Sequence, residues 1–311
     1  MSSPSIAERA CSLYKESKWR QGTCSECFRP KEDHKKQMFE EKLGQNQLSN
    51  EDPTEVFELI DIIGTGAYGS VFLGRDLAKN EVFAIKFLEL EESKGNEISS
   101  IVNEINIMKA SIECPFIVEY HGCFFKDDTI MLVMEYCSCS VEDVLSYCPE
   151  IKFTETQIAA VCAAIIKGLA FLHAYGISHR DIKSGNVLLK ETGEVKLADF
   201  GVSHRLTTEK DKMKTLAGSP YWCAPELITA DSYDNKVDIW AAAICAIEMA
   251  EGQPPHWEMQ PLEVILHIPK QPPPRLKEPQ KWSKDFNDFI ERCLQKNPME
   301  RSSAKQLLNH P

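Results

Sequence analysis

The stretch from Ile177 to Gly201, ISHRDIKSGNVLLKETGEVKLADFG, constrains this chain more than any other. Two carboxylates, Asp181 and Asp199, stand eighteen residues apart with the amide of Asn186 between them. Apolar Val187-Leu188-Leu189, a turn around Glu191-Thr192-Gly193, and apolar Val195 and Leu197 predict a hairpin. A hairpin folds the chain back on itself, so both carboxylates and the amide come to one edge. Hard oxygen ligands of this kind suit Mg²⁺, which favours carboxylates and phosphate oxygens. A carboxylate is left over to accept a hydroxyl proton. Such an edge lacks a phosphate cradle, a cation and a place for a second substrate.

The missing parts stand earlier in the chain. Phe57, Leu59, Asp61 and Ile63 make a largely apolar strand, followed by Gly64-Thr65-Gly66-Ala67-Tyr68-Gly69 and then Ser70-Val71-Phe72-Leu73. A dinucleotide-binding Gly-x-Gly-x-x-Gly opens a helix; a β-branched and aromatic strand follows here instead. A hairpin whose glycines let backbone N–H groups close over phosphates fits better. The bland alternative is a plain glycine-rich turn. Lys86 lies mid-strand in Val82-Phe83-Ala84-Ile85-Lys86-Phe87, where an unpaired ammonium is costly. Residues 97–110 have helical periodicity through Ile98, Ile101, Ile105 and Met108, and Glu104 on that helix is the expected partner. Either charge alone is more often a solvated surface group. Their joint position after the glycine loop favours the pair.

Residues 116–136 predict two more strands. Thr154-x-x-Gln157 is a capping-box signature, and Ile158, Val161, Ile165, Leu169 and Leu172 continue as an amphipathic helix of about five turns. Residues 236–251, KVDIWAAAICAIEMAE, are apolar nearly all round, as in a buried helix, and Gly252 and Pro254-Pro255 stop it. A β-rich first part thus precedes a helical second part. That predicts two lobes with a cleft in which glycines and carboxylates face each other. At 311 residues the chain is long enough for two such lobes. No apolar run reaches the roughly 18 residues that span a bilayer. Residues 1–30 lack the apolar region of a secretory signal. The twelve cysteines are dispersed singly in apolar segments, which reads as reduced packing residues in a cytoplasmic protein. Residues 1–50 carry nine Lys/Arg against seven Asp/Glu, and the remainder 26 against 40. So acidic a body argues against a nucleic-acid binder.

Residues 1–50 do not resemble the rest. Cys24 and Cys27 with His34, and Cys11 upstream, offer one set of zinc ligands. The alternative is a partly ordered leader with unliganded thiols. Residues 35–55 read as a short helix and a polar linker ending near Pro53. The expected divisions are a leader over 1–34, a linker over 35–55 and a domain over 56–311, with lobes of about 56–134 and 138–311.

Taken together, Gly64-Thr65-Gly66-Ala67-Tyr68-Gly69-Ser70-Val71, Phe83-Ala84-Ile85-Lys86, His179-Arg180-Asp181-Ile182-Lys183-Ser184-Gly185-Asn186, Asp199-Phe200-Gly201 and Ala224-Pro225-Glu226 stand in order. This set resembles the motifs of eukaryotic protein kinases, over about four-fifths of the chain. The wording HRDIKSGNVLL and GSPYWCAPE looks most like the sterile-20 group of serine/threonine kinases, germinal-centre branch. The resemblance implies an α+β bilobal kinase fold, with a β-rich N-lobe holding one main helix and a helical C-lobe. It implies transfer of the ATP γ-phosphoryl group to protein Ser/Thr hydroxyls, with Mg²⁺ as metal and Mn²⁺ as its substitute. Asp181 would accept the hydroxyl proton and Lys183 would neutralise the transferring group. Asn186 and Asp199 would hold the metal. Lys86, tethered by Glu104, would hold the α- and β-phosphates. Ile63, Gly64, Gly66, Gly69, Val71, Ala84, Met134, Glu135, Cys137 and Leu188 would contact the nucleotide, with Met134 as gatekeeper and Glu135 and Cys137 opening the hinge.

Arg180 before the catalytic Asp implies activation by a phosphate on Thr215, with Thr207 and Thr208 as weaker candidates, placed by an upstream kinase or by the chain itself. Glu226 should pair with Arg301. Ser219 stands where the family usually has Thr, keeping the hydroxyl, and Ala243 replaces a usual Gly. The segment Cys137-Ser138-Cys139-Ser140-Val141 is a residue shorter than in close relatives. The chain ends where the kinase domain normally ends, without the long regulatory tail of this group. Protein substrates are the expected partners, and homodimerisation is left open. The rival readings are a catalytically weak kinase-fold scaffold acting by protein–protein interaction, and an interaction module centred on residues 1–50. Against the scaffold, Lys86, Asp181 and Asp199 are all present.

Overall fold

The computed structural model describes residues 23–24, 30–44, 48–49, 51–66, 69–90, 97–147, 150, 152–205, 213, 217–229 and 232–311. The chain divides into two compact units. One is Met1–Asn106 with Tyr120–Tyr136, the other Ile107–Glu119 with Cys137–Pro311.

The first unit is β-rich. Its elements are α1 (Lys31–Leu43), α2 (Pro53–Val56), β1 (Phe57–Gly66), β2 (Gly69–Asp76), β3 (Val82–Glu89), most of α3 (Glu97–Ala110, whose residues from Ile107 count with the other unit), β4 (Tyr120–Lys126) and β5 (Thr129–Glu135). The strands form one antiparallel sheet in the order β1-β2-β3-β5-β4. Alternation along β3 gives the sheet two distinct faces. Phe83 and Ile85 point to a core completed by Phe124 and Val133, with Phe57 edge-on to the rings of Phe83 and Phe124 at 6.1 and 5.6 Å. Each such buried side chain contributes about 1.5–3 kcal/mol. Ala84 and Lys86 point the other way, joined across the ladder by Val71, Leu132 and Met134. Sequence chemistry sets the turns. Gly69 has φ +127°, and a Cβ there would lie 1.9 Å from Phe87 O, so only glycine fits. Asp127 and Asp128 are both left-handed, at φ 50° and 60°, as a two-residue hairpin turn requires.

Beside α3, the one main helix expected, this unit carries α1. It starts at Lys31, ahead of the helix expected within 35–55, and docks Phe39 against Phe125 with ring centroids 6.4 Å apart. Ser49 then pairs with the β4 edge, its N–H donating to Cys123 O at 3.0 Å.

The second unit is mainly helical: β6 (Cys139–Ser140), α4 (Val141–Tyr147), α5 (Glu155–Ala174), β7 (Ile177–Ser178), β8 (Val187–Leu189), β9 (Val195–Leu197), β10 (His204–Arg205), α6 (Pro225–Thr229), α7 (Lys236–Glu251), α8 (Pro261–His267), α9 (Lys284–Cys293) and α10 (Ala304–Leu307). The capping box forms, with Gln157 N–H on Thr154 Oγ1 and Thr154 N–H on Gln157 Oε1. Helix α5 has the length and hydropathy to cross a membrane, by composition alone. Half of that stretch is buried within the protein, and Ile158, Ile165, Leu169 and Leu172 are core residues. Every residue of α7 from Val237 to Met249 is buried, and Gly252, at φ 85°, closes it by donating to Glu248 O at 2.7 Å. Burial pushes the thiols of Cys162 and Cys223 up to about 12, so both behave as packing groups.

Candidate active site

In the helical unit the expected hairpin is present. Strand β8 pairs with β9 in the register Val187↔Leu197, Leu188↔Lys196, Leu189↔Val195, and the turn closes at Gly193, φ +86°. Ala198 N–H donates to Asn186 O at 3.0 Å, so Asp199 follows directly opposite the end of the Ser184–Asn186 turn. The hairpin thereby brings Asp181, Asn186 and Asp199 to one edge.

Asp181 is held from three sides. Its Oδ1 accepts from the N–H and the hydroxyl of Ser219, at 2.8 and 2.9 Å. Its Oδ2 accepts from Asn186 Nδ2 at 3.0 Å and lies 3.3 Å from Lys183 Nζ. Lys183 Nζ also donates to Ser219 Oγ at 3.1 Å. The hydroxyl that Ser219 keeps thus contacts both Asp181 and Lys183. Asn186 Nδ2 donates in addition to Asp181 O at 2.8 Å. With its amide nitrogen committed to Asp181, Asn186 presents Oδ1 as its ligating atom. That oxygen and the Asp199 carboxylate are the hard donors a Mg²⁺ ion takes.

The backbone around these groups is unusual. Arg180 and Asp199 have φ 70° and 65°, left-handed values that cost about 1–3 kcal/mol each and persist only where neighbours enforce them. For Arg180 the enforcing group is Asp238 of α7. Asp238 Oδ1 accepts from Arg180 N–H at 2.7 Å; Oδ2 accepts from His179 N–H, Ser178 Oγ and His173 Nε2 at 3.0, 2.9 and 2.8 Å. Burial alone would raise this carboxyl, but the hydrogen bonds from His173 and the Arg180 N–H outweigh it and hold it below the usual carboxylate range. His179, by contrast, is pushed down by burial. As a neutral ring it donates from Nε2 to Ala198 O at 3.1 Å and accepts the Asp181 N–H on Nδ1 at 3.4 Å. Phe200 packs beside it, ring centroids 4.9 Å apart.

A second α7 carboxyl, Glu248, accepts from Ser184 Oγ at 2.7 Å and from Trp222 Nε1 at 2.9 Å. Burial pushes it up to about 7. The Arg180 guanidinium donates from Nε to Val202 O at 2.6 Å and from NH1 to Tyr233 OH at 3.3 Å. Tyr233 in turn pairs with Met213 through two backbone hydrogen bonds of 2.9 and 3.1 Å. Further out, Arg301 takes Glu226 bidentately at 2.5 and 3.0 Å and stacks over Trp240. Asp238, Glu248 and Tyr233 are the residues sequence reasoning missed. For the two carboxyls the signal was available: they are acids inside a helix whose every other inner position is apolar.

In the β-rich unit Lys86 Nζ lies 2.9 Å from Glu104 Oε1, their side chains 10% and 5% exposed. Val71, Ala84 and Met134 share the face of Lys86. Gly64 pairs with Val71 and Gly66 with Gly69 at the end of the β1–β2 hairpin, and Ile63 is exposed on β1. Glu135 ends β5, and Cys137 follows it by two residues as the second unit begins. Leu188 lies on β8 of the second unit.

Thr207, Thr208 and Thr215 lie outside the described residues, as do Cys11 and Cys27. Cys24 and His34 are buried, with His34 Nδ1 3.0 Å from Pro30 O. Among the described residues, no group of three or more His, Cys, Asp or Glu side chains could hold a metal ion.

Residues 57–311 match the family described as "Protein kinase domain". Three relatives from Dictyostelium discoideum are similar to the chain. Serine/threonine-protein kinase dst4 is 48% identical over 87% of the chain and 56% of its own length. Serine/threonine-protein kinase dst3 is 46% identical over 87% and 49%, and dst1 is 44% identical over 88% and 36%. The chain spans about half the length of the curated relatives it matches. With the matched domain covering most of the sequence, and the relatives far above the level at which fold and family part, the chain belongs to the protein kinase family.

Proposed function

We propose that this chain is a serine/threonine protein kinase of the sterile-20 type, transferring the γ-phosphoryl group of ATP to protein hydroxyls in the cytoplasm. The observation that carries the reading is the clamp on Asp181. A carboxylate fixed by Ser219, Asn186 and Lys183 is aimed rather than mobile, and transfer of this kind depends on positioning and charge stabilisation more than on covalent chemistry. Asp181 accepts the proton of the substrate hydroxyl, and Lys183 neutralises the transferring group. Lys183 two residues after Asp181 is also the form of this loop found in serine/threonine enzymes. Lys86, oriented by Glu104, holds the α- and β-phosphates. Asn186 Oδ1 and Asp199 would hold Mg²⁺, which would supply charge neutralisation for the phosphates. Val71, Ala84 and Met134, which share the face of Lys86, would contact the adenine, with the backbone at Glu135 bonding its edge and Gly64, Gly66 and Gly69 covering the phosphates.

Arg180 is the candidate receiver of a phosphate on Thr215. It bonds Tyr233, and Tyr233 pairs with Met213, two residues before Thr215. A phosphate there adds strong acceptors for a guanidinium, and an upstream kinase, or a second copy of the chain in a homodimer, would supply it. Phosphoamino-acid analysis of a protein substrate tests the reading. Phosphoserine and phosphothreonine are expected, and phosphotyrosine as the main product sinks it. Equal rates for wild type and Thr215→Ala would remove the switch while leaving the enzyme. The zinc site of Cys11, Cys24, Cys27 and His34 rests on spacing and on the burial of Cys24 and His34. Metal analysis of pure protein that finds no zinc removes it.

A further inference from the structure

The residues before Phe57 lie outside the matched kinase domain, yet α1 and Ser49 are built into the β-rich unit. Phe39 is fully buried and Leu43 nearly so, with Phe39 against Phe125 of β4. Lys35 Nζ donates to Leu90 O at 3.0 Å and to Asp128 Oδ2 at 2.7 Å, while Leu90 N–H donates to Asp128 O at 3.1 Å. Lys35 therefore locks the end of β3 to the left-handed β4–β5 turn. At its other end, α1 places Lys42 Nζ 2.7 Å from Ser99 Oγ, at the start of α3.

Leu90 stands four residues after Lys86, and Ser99 five before Glu104. Helix α1 thus grips both ends of the connection between the strand that carries the lysine and the helix that carries the glutamate. The Lys86–Glu104 pair is almost fully buried. A buried pair loses much of its value when its partners separate, because neither charge can return to water. Any looseness of α3 is felt there first.

We infer that α1 is a positioning element for the Lys86–Glu104 pair, with Lys35, Phe39 and Lys42 as its positioning residues. Phe39 anchors the helix, Lys35 fixes the end of β3, and Lys42 fixes the start of α3. A contact that lifts α1 off the sheet frees α3 and disengages Glu104, so α1 acts as a control element set outside the matched domain. The kinetic side of this rests on the kinase reading; the structural side does not.

The test uses the full chain carrying Lys35→Met with Lys42→Met, which keeps the apolar stems, and separately Phe39→Ala. Amide hydrogen exchange is followed over residues 97–110 and over 155–174, and KM for ATP and kcat are measured. Exchange over 97–110 is expected to rise about three- to tenfold in the double variant, the scale of losing two or three polar contacts, with 155–174 unchanged. KM for ATP should rise and kcat fall, whereas KM for the protein substrate stays put, and Lys35→Arg should retain wild-type values. A double variant with wild-type exchange over 97–110 overturns the inference, even if Phe39→Ala fails to fold. Loosened exchange with unaltered KM and kcat overturns it as well. A wild type that transfers no phosphate counts against the kinase reading alone, and exchange then decides whether α1 holds α3.

Discussion

Replacing Asp238 by Asn tests how the catalytic segment is held. The carboxylate takes four donors, three on Oδ2 and the Arg180 N–H on Oδ1. An amide has one acceptor oxygen, so in either orientation at least one buried N–H faces an NH₂ group. A buried donor left unmade costs about 1–3 kcal/mol, and the remaining bonds lose the extra strength of a charged acceptor. A total of about 3 kcal/mol is expected, which for a unit of this size lowers Tm by about 6–12 °C. Arg180 is also freed from its left-handed backbone, so Asp181 next to it loses aim and kcat falls with stability. Because Asp238 is held below its ordinary value of 3.8, its stabilisation is present above that value. It is lost as the pH falls through the lower folded value. Thermal unfolding followed by circular dichroism, with kcat alongside, should therefore show the full gap between wild type and variant near neutrality and a shrinking gap under acid conditions. A variant within about 1 °C of wild type at neutral pH, below the resolution of the expected shift, would refute the reasoning. So would a gap that does not shrink in acid.

Glu248 gives the opposite sign. Its folded value is pushed up to about 7 from 4.5, so its proton stabilises the fold at low pH, and that contribution is lost between pH 4.5 and 7 at no more than roughly 1.4 kcal/mol per unit. Glu248→Gln should flatten this part of the stability profile, since the Ser184 hydroxyl can reverse to accept from the amide; an unchanged slope in urea titrations across that range counts against it. Ser219→Ala removes a hydroxyl that both Asp181 and Lys183 use and should lower kcat about tenfold, the loss of one charged hydrogen bond, whereas Ser219→Thr stays near wild type; equal rates for Ala and Thr contradict this. Glu226→Gln leaves Arg301 buried without its counter-charge and should cost about 3–5 kcal/mol, read as a lower urea midpoint with unchanged slope.

The elements of the candidate site were legible because they lie in local sequence. The glycine hairpin, the lysine strand, the helix with Glu104 and the carboxylate hairpin each follow from spacing and composition within some 25 residues. The pairing of Lys86 with Glu104 followed from the cost of burying an unpaired charge. What did not show were contacts whose partners lie far apart in sequence. Asp238 binds Ser178, His179 and Arg180 from about sixty residues away, and nothing in an apolar helix pattern says which loop its acid will take. The helical character of α1 was readable, but its docking was not. With Phe39 and Leu43 the buried apolar residues among its described positions, the segment looks like a solvated helix until Phe125 and Asp128 are in place. The left-handed Arg180 and Asp199 were hidden too, since neither is glycine and the enforcing contacts are tertiary.

The account stands on Asp181 as the base of a phosphoryl-transfer site, and the most direct measurement is transfer of radiolabelled γ-phosphate from ATP to a generic basic protein substrate by wild type and by Asp181→Asn. The amide variant keeps the size of the side chain but cannot take the hydroxyl proton. Mg²⁺-dependent labelling by wild type is expected, with a loss of about 10²–10⁴-fold in the variant, the usual worth of a positioned proton acceptor. No labelling by wild type, or undiminished labelling by Asp181→Asn, would contradict it.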